Sequence, residues 1–316
     1  MAARGCLLAF IGCFLLLSCH SFAPPEPRWV TRERFYTTSW ADITLTVDPI
    51  VGGRITSLRV HDQELITGPG RHAQYYGSTL WLSPQHRWWP EPAAVDTDPY
   101  WVQSAANPLT LVSRQDTSLG LQVKKSFRVV PEDSSLHLTY TLINRADTTR
   151  WLALWEVTRL AKDCDITMAL DTSATHRPFP THAGSVQNGL YRTHVGKADT
   201  IAQKAAYNAR GWVAYQCGTR LLIKQFANLS DDQLPPRQNE VEIYVADSAY
   251  VEVEQHSAYR AVGPGDSLRW VVRWYPRHVG ATAAEERARR PWMERLARPL
   301  SLYNLVDRFF LSNISF

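Results

Sequence analysis

The chain has 316 residues, of which 45% are apolar and 11% aromatic, and this composition excludes disordered, collagenous and coiled-coil classes. Between residues 19 and 276, basic and acidic residues are equal in number, at 26 each. This balance argues against nucleic acid as a partner, because phosphate binding needs a concentrated basic surface. The 12 Trp residues indicate large aromatic cores or stacking platforms for ligands.

The first residues predict export. Residues 1–18 place Arg4 ahead of an apolar run that is too short to span a bilayer, as in a secretory signal peptide. The run ends in Leu-Leu-Ser-Cys at Cys19, which resembles the lipobox of bacterial lipoproteins. This resemblance implies a lipidated Cys19, a lipid-anchored linker over residues 19–39 and a location in the bacterial cell envelope, with the anchor as the membrane contact. A plain signal peptide with an incidental Cys19 is the alternative.

The next 240 residues predict an antiparallel all-β domain, assigned to residues 40–276. Apolar and polar residues alternate in short runs separated by Gly, Pro, Asn and Asp, and no long helical pattern interrupts them. Parallel sheets would require crossover helices. The runs lie at 54–60, 119–130, 136–144, 151–160, 212–216, 221–226, 241–245, 250–256 and 268–275.

Residues 277–316 predict a helical C-terminal tail. The segment 281–298 is rich in Ala, Glu and Arg and is typical of a surface helix. Its basic charge indicates a solvated face, and a membrane-surface contact is the alternative. The exported body contains two cysteines, Cys164 and Cys217, which either pair or remain buried thiols.

The segment 77–100 is interpreted as one long, non-repetitive loop. Long loops within compact domains tend to be functional. A sugar presents apolar C–H faces and hydroxyl edges, which aromatic rings and polar side chains complement. The loop supplies such groups at Trp81, Gln85, His86, Trp88 and Trp89. Alternatively, these Trp residues cap the open end of the core.

Three stretches together carry a family resemblance: 51–58 followed by Glu64-Leu65, Asn144-Arg145 leading to 155–158, and 250–254 followed by 264–266 and Trp274. Their order and spacing resemble the galactose-mutarotase-like superfamily, in particular an uncharacterised branch found in exported bacterial proteins. The resemblance covers roughly residues 40–275. It implies an antiparallel β-supersandwich whose concave face binds a saccharide.

The resemblance also implies a catalytic base. Aldose 1-epimerases carry a carboxylate late in the chain, on a strand like 250–255, and Glu254 matches that base best. Strand alternation places Glu252, Glu254 and His256 on one face. A carboxylate there could remove the proton from the anomeric hydroxyl while a second group protonates the ring oxygen. The alternative is that this face is solvated.

The general acid is harder to place. The family's His would fall near Leu152, which cannot transfer a proton. Glu156 is a candidate acid next to Trp155, a candidate for substrate binding, because burial on the face of Leu152 would raise its pKa. A structural hydrogen-bond acceptor is the alternative role of Glu156.

The sequence contains no HExxH, paired-Cys or Gly-rich phosphate motif, so it predicts neither a metal nor another cofactor. Two functions remain. The retained pair of Glu252 and Glu254 favours an exported isomerase that epimerises sugars at C1, whereas Leu152 favours a non-catalytic glycan-binding lipoprotein.

Overall fold

A computed structural model describes residues 26–279, except residues 172, 182, 183, 188 and 248. Within that part of the chain there are 21 β-strands and two one-turn α-helices. No helix among the described residues is long and apolar enough to cross a membrane. The signal peptide, Cys19 and the C-terminal helix that the sequence predicts lie outside the described residues.

The strands of the first half are β1 (Val30–Arg32), β2 (Phe35–Trp40), β3 (Ile43–Asp48), β4 (Arg54–Val60), β5 (Gln63–Glu64), β6 (Ser78–Ser83), β7 (Tyr100–Ser104), β8 (Leu109–Ser113), β9 (Leu121–Val130), β10 (Ser135–Asn144) and β11 (Arg150–Leu160). The strands of the second half are β12 (Cys164–Ala169), β13 (Ser185–Gln187), β14 (Leu190–Val195), β15 (Gln203–Tyr207), β16 (Trp212–Cys217), β17 (Arg220–Gln225), β18 (Val241–Ala246), β19 (Tyr250–His256), β20 (Arg260–Val262) and β21 (Ser267–His278). The helices α1 (Gln85–Trp88) and α2 (Ala93–Asp96) both lie between β6 and β7.

The strands form two sheets. The eleven-stranded sheet has the order β1-β2-β3-β4-β6-β11-β19-β18-β15, with β5 beside β4 and β20 beside β11. The ten-stranded sheet has the order β13-β14-β12-β16-β17-β21-β10-β9-β8-β7. Neighbouring strands are antiparallel in both, so the predicted antiparallel all-β class is confirmed.

The core lies between the two sheets. Leu82, Leu154 and Val253 of the eleven-stranded sheet form one buried cluster with Leu138 and Val272 of the ten-stranded sheet. Full burial of a Leu or Val side chain is worth about 1.5–3 kcal/mol. The packing therefore fixes one face of each strand toward the core and leaves the other face of each sheet for other contacts.

The prediction of one loop over residues 77–100 is wrong for its first part, because residues 78–83 form β6 at the centre of the eleven-stranded sheet. All six of its residues are buried, and Leu80, Trp81 and Leu82 are consecutive apolar residues, so the strand shows no alternation of apolar and polar residues. Gly77 precedes it with a φ of +66°, and a Cβ there would lie 2.1 Å from the carbonyl oxygen of Ile55. Glycine thus lets the turn into β6 pass close to β4.

The sandwich also begins before residue 40. Strands β1 and β2 pair with each other, and β2 pairs with β3, so residues 30–39 belong to the sheet and not to a linker. At the other end, β21 continues to His278, two residues past the predicted boundary.

The two cysteines of the body are joined. A disulfide links Cys164 of β12 to Cys217 of β16, two strands that are adjacent in the ten-stranded sheet. Of the two alternatives that the sequence left open, the structure therefore has the paired cysteines.

Candidate functional site

Adjacent strands of the eleven-stranded sheet form the floor of a cleft on the face that points away from the core. Trp155 of β11 pairs with Trp81 of β6, and Val157 pairs with Glu254 of β19. Glu254 in turn pairs with Glu242 of β18. Paired residues project from the same face of a sheet, so the register alone brings these side chains together.

The cleft has a volume of about 360 Å³ and an aromatic lining with a few charged groups. Six aromatic side chains contribute to it: Tyr75, Trp81, Trp89, Trp155, Tyr244 and Tyr250. Four polar side chains complete it: Gln85, Lys204, Glu252 and Glu254. A concave, mainly apolar pocket with a few convergent polar groups is the usual form of a small-molecule site.

The alternation predicted for β19 is present. Val251 and Val253 belong to the core between the sheets, whereas Glu252 and Glu254 line the cleft. Both glutamates are nevertheless buried, at 7% and 1% exposure, so the alternative of a solvated sheet face is wrong.

Glu254 lies at the centre of the cleft floor. Its Oε2 accepts a hydrogen bond from Nε1 of Trp155 at 3.0 Å and one from Nζ of Lys204 at 3.1 Å. Its other oxygen, Oε1, accepts none from the described residues. Burial raises the pKa of Glu254 to about 8, and the carboxylates of Glu252 and Glu242 add to this rise against the opposing effect of Lys204. Glu254 can therefore hold or release a proton near neutral pH.

Lys204 of β15 supplies a fixed positive charge. Its Nζ lies 2.8 Å from Oε2 of Glu242 as well as 3.1 Å from Oε2 of Glu254. Burial alone would lower the pKa of Lys204, but the two carboxylates outweigh it and raise the pKa above its ordinary value. Burial likewise opposes ionisation of Glu242, yet Lys204 brings the pKa of that carboxyl below its ordinary value. Glu242 and Lys204 thus form an ion pair beside Glu254.

Glu252 is paired with a buried arginine. Nε of Arg159 donates to Oε1 of Glu252 at 2.8 Å. The guanidinium carbon of Arg159 lies 4.7 Å from the ring centroid of Trp81 and 5.5 Å from that of Tyr75. Arg159 therefore holds a carboxylate and two aromatic rings of the cleft in fixed positions.

The tryptophans form a continuous aromatic wall. The ring of Trp81 lies 5.2 Å from that of Trp155 and 5.5 Å from that of Trp89, with edge-to-face geometry in both pairs. Trp81 and Trp155 are buried, whereas Trp89 is 48% exposed at the rim. Trp89 is thus the tryptophan of this wall with the most surface open to a ligand.

His256 does not line the cleft, although it shares the face of Glu254. It is fully buried with its ring stacked on Trp155 at 5.5 Å, and its Nε2 lies 3.1 Å from Nε2 of Gln238. Burial lowers the pKa of His256 to about 4, so the ring is neutral at physiological pH. His256 supports the position of Trp155 and is not a group that touches a ligand.

Glu156 lies on the opposite face of β11 from the cleft. Its carboxylate accepts hydrogen bonds from the hydroxyl of Tyr140 at 2.6 Å, Nζ of Lys224 at 3.0 Å and Nε1 of Trp274 at 3.1 Å, all between the sheets. The role as a general acid at the site is therefore wrong, because residues of even number on β11 point into the core. Glu156 is the structural acceptor that the alternative described.

Two residues of the predicted tryptophan-rich segment also lie elsewhere. Trp88 is half-buried and packs against the core, as expected if it caps the sandwich. His86 is exposed on α1 and does not line the cleft. Trp81, Gln85 and Trp89 do reach it.

Sequence reasoning missed four lining residues. Tyr250 was detectable in principle, because it shares the alternation of Glu252 and Glu254 on β19. Tyr244 shares a face of β18 with Glu242, which the sequence analysis did not single out. Lys204 lies on β15, a short strand outside the predicted runs. Tyr75 precedes β6 in irregular chain and carries no periodic signal.

No group of three or more His, Cys, Asp or Glu side chains in the described part of the chain is arranged to hold a metal ion. The charged groups of the cleft are instead paired with one another. The chemistry of this donor set is that of hydrogen bonding and proton transfer.

Comparison with solved structures identifies the fold class. A galactose mutarotase-like protein from Clostridium acetobutylicum is similar in structure, with a TM-score of 0.54 at 9% identity over 77% of this chain and 95% of its own. Another, from Lactobacillus casei, has a TM-score of 0.56 at 10% identity over 77% of this chain and 100% of its own. A galactose mutarotase related enzyme from Lactobacillus acidophilus has a TM-score of 0.52 at 9% identity, over 77% of this chain and 97% of its own. The chain has the galactose-mutarotase-like sandwich fold.

Within that class, the sequence identifies the family. The family model described as "Domain of unknown function (DUF4380)" matches residues 37–276, and the chain belongs to this family. No curated protein matches it in sequence.

Proposed function

We propose that the cleft binds a saccharide and that Glu254 exchanges a proton with its anomeric hydroxyl. The observation that carries this proposal is the position of Glu254 at the centre of an aromatic cleft, with one carboxylate oxygen bonded to Trp155 and Lys204 and with a pKa of about 8. The fold, which is carbohydrate-related in its structural neighbours, supports the same substrate class.

The reaction would be epimerisation at C1. Ionised Glu254 takes the proton of the C1 hydroxyl, the C1–O1 bond becomes a carbonyl, and the bond from C1 to the ring oxygen breaks with its electron pair on that oxygen. The ammonium of Lys204 gives the ring oxygen a proton. Rotation about the C1–C2 bond and reversal of these steps yield the other anomer.

The geometry suits this pair of groups. The C1 hydroxyl and the ring oxygen are attached to the same carbon, so the base and the acid must be neighbours. Oε2 of Glu254 and Nζ of Lys204 are 3.1 Å apart. Lys204 takes the place of the acid that the sequence lacks at Leu152.

A second candidate is binding without turnover. The observation that favours it is the raised pKa of Lys204, which makes its ammonium a weaker acid than a group that titrates near neutral pH. In this alternative, the Glu242–Lys204 ion pair serves only to orient the hydroxyl groups of the sugar.

Polarimetry separates the two candidates. Freshly dissolved α-glucose and α-galactose should reach anomeric equilibrium faster with the protein than without it, and Glu254→Gln should abolish the acceleration while its thermal melt stays close to that of the wild type. Glu132→Gln, a change at an exposed carboxylate, is the matched control. Binding in saturation-transfer NMR without acceleration would support the second candidate, binding without turnover. The absence of both binding and acceleration would contradict the proposed function.

We also propose that the protein is exported and lipid-anchored through Cys19 in the bacterial envelope. The Cys164–Cys217 disulfide supports export, because disulfides persist mainly in oxidising compartments.

A further inference from the structure

We infer that the cleft is one end of a longer site, and that a second sugar ring of an oligosaccharide stacks on an aromatic platform formed by Trp151 and Tyr259. The inference rests on the proposed function, since the cleft must hold the first ring. It specifies the ligand as a saccharide of at least two units.

The platform and the cleft lie on the same face of the same strand. Trp151, Ala153 and Trp155 alternate along β11 with Leu152 and Leu154, which are buried in the core between the sheets. Trp151 therefore projects to the cleft side. Trp151 precedes Trp155 by four positions, a distance of about 13 Å along the strand, which is more than one pyranose ring can cover.

The platform is an exposed aromatic pair. Trp151 is 52% exposed, and its ring lies 5.6 Å from that of Tyr259 with an angle of 37° between the ring planes. Its location on a strand next to β20 fixes the backbone of Trp151, so the exposed ring is held in place and is not part of a free loop.

Helix α1 connects the platform to the cleft. Gln85, at the start of α1, lines the cleft, and Nη1 of Arg87, two residues later, lies 3.4 Å from the hydroxyl of Tyr259. Trp89 follows α1 at the rim of the cleft. Arg87 of α1 thus contacts the platform, while Gln85 and Trp89 at the two ends of the same helix line the cleft, and the guanidinium of Arg87 offers hydrogen-bond donors for sugar hydroxyls.

This arrangement also sets the direction of the ligand. Proton exchange at C1 requires a free anomeric hydroxyl, so the ring in the cleft is the reducing end. The chain then continues from another hydroxyl of that ring toward Trp151. Free monosaccharides would fill only the cleft.

Titration with matched sugars tests the inference. The probes are glucose, galactose and mannose together with linear 1,4-linked trisaccharides of each, measured by saturation-transfer NMR with the wild type, Trp151→Ala and Trp101→Ala. Trp101 is the matched control, because it is 50% exposed but lies on β7 of the other sheet. At least one trisaccharide should bind three- to tenfold more tightly than its monosaccharide, as expected for about 0.5–1.5 kcal/mol from one added aromatic contact.

Trp151→Ala should remove that gain and leave monosaccharide affinity unchanged, whereas Trp101→Ala should retain it. Equal affinity for each monosaccharide and its trisaccharides, or loss of the gain in both variants, would overturn the platform and leave the proposed function standing. Failure of every probe to bind would overturn both.

Discussion

The titration of Glu254 predicts how activity changes with pH. Burial among other carboxylates raises the pKa of this group to about 8, and a general base acts only in its ionised form. With that pKa, about one-tenth of the protein carries an ionised Glu254 at pH 7 and about nine-tenths does so at pH 9. We therefore expect kcat/KM for mutarotation to rise about tenfold between these pH values and to level off above pH 9.

The assay is polarimetry on freshly dissolved sugar, with the uncatalysed rate in the same buffer subtracted at every pH. Glu254→Gln removes the titrating group while its amide oxygen can still accept from Trp155, so its residual rate should show no inflection near pH 8. Glu132→Gln should reproduce the wild-type profile. A wild-type rate that is flat or falls from pH 7 to 9, or an inflection that persists in Glu254→Gln, would show that Glu254 is not the titrating base.

Three further predictions concern the cleft wall, the disulfide and the anchor. Trp89→Ala should weaken sugar binding roughly three- to tenfold without lowering the melting temperature, because Trp89 is half exposed at the rim. Trp88→Ala should lower the free energy of unfolding by about 3 kcal/mol and leave sugar affinity unchanged, because Trp88 packs on the core. Binding titrations beside thermal melts check both variants, and the reverse pattern of effects would contradict the prediction. Reduction of the Cys164–Cys217 disulfide, which spans 53 residues, should lower the free energy of unfolding by about 4 kcal/mol in urea titrations, and an unchanged midpoint would show that the bond is not a stabilising constraint. Cys19→Ser should move the protein from the membrane to the soluble fraction on cell fractionation; retention in the membrane would exclude the lipid anchor.

The strands that the sequence predicted best are those whose residues alternate in polarity. The run at 250–256 matches β19 in both limits, because valines that face the core alternate there with glutamates that face the cleft, although all seven residues are buried. Strand β6 was missed because Leu80, Trp81 and Leu82 are consecutive apolar residues. A strand with apolar residues on both faces shows no period of two in its sequence.

The candidate site was partly predictable for a related reason. Strand parity placed Glu252 and Glu254 on one face, and both line the cleft, but parity alone could not say which face of β11 is the cleft. Glu156 was therefore assigned to the site, although the pairing of Val157 with Glu254 puts it on the other side. Lys204 joins the site only through tertiary pairing of β15 with β18, which the spacing of residues along the chain does not encode.

The segment 85–89 shows a third limit. Its residues are close in sequence and similar in chemistry, yet Gln85 and Trp89 reach the cleft, Trp88 packs on the core and His86 is exposed. Because an α-helix has about 3.6 residues per turn, side chains that are adjacent in sequence point to different sides of the helix. Composition predicted an aromatic sugar site here, and the helix decides which side chains reach the cleft.

A base at Glu254 must meet the anomeric centre of a bound sugar, and a crystal structure of the protein with that sugar would show whether it does. We expect a pyranose against Trp89 and Trp81, with its C1 hydroxyl within hydrogen-bond distance of Oε1 of Glu254 and its ring oxygen toward Nζ of Lys204. A sugar bound outside the cleft, or bound within it with C1 directed away from Glu254, would contradict it.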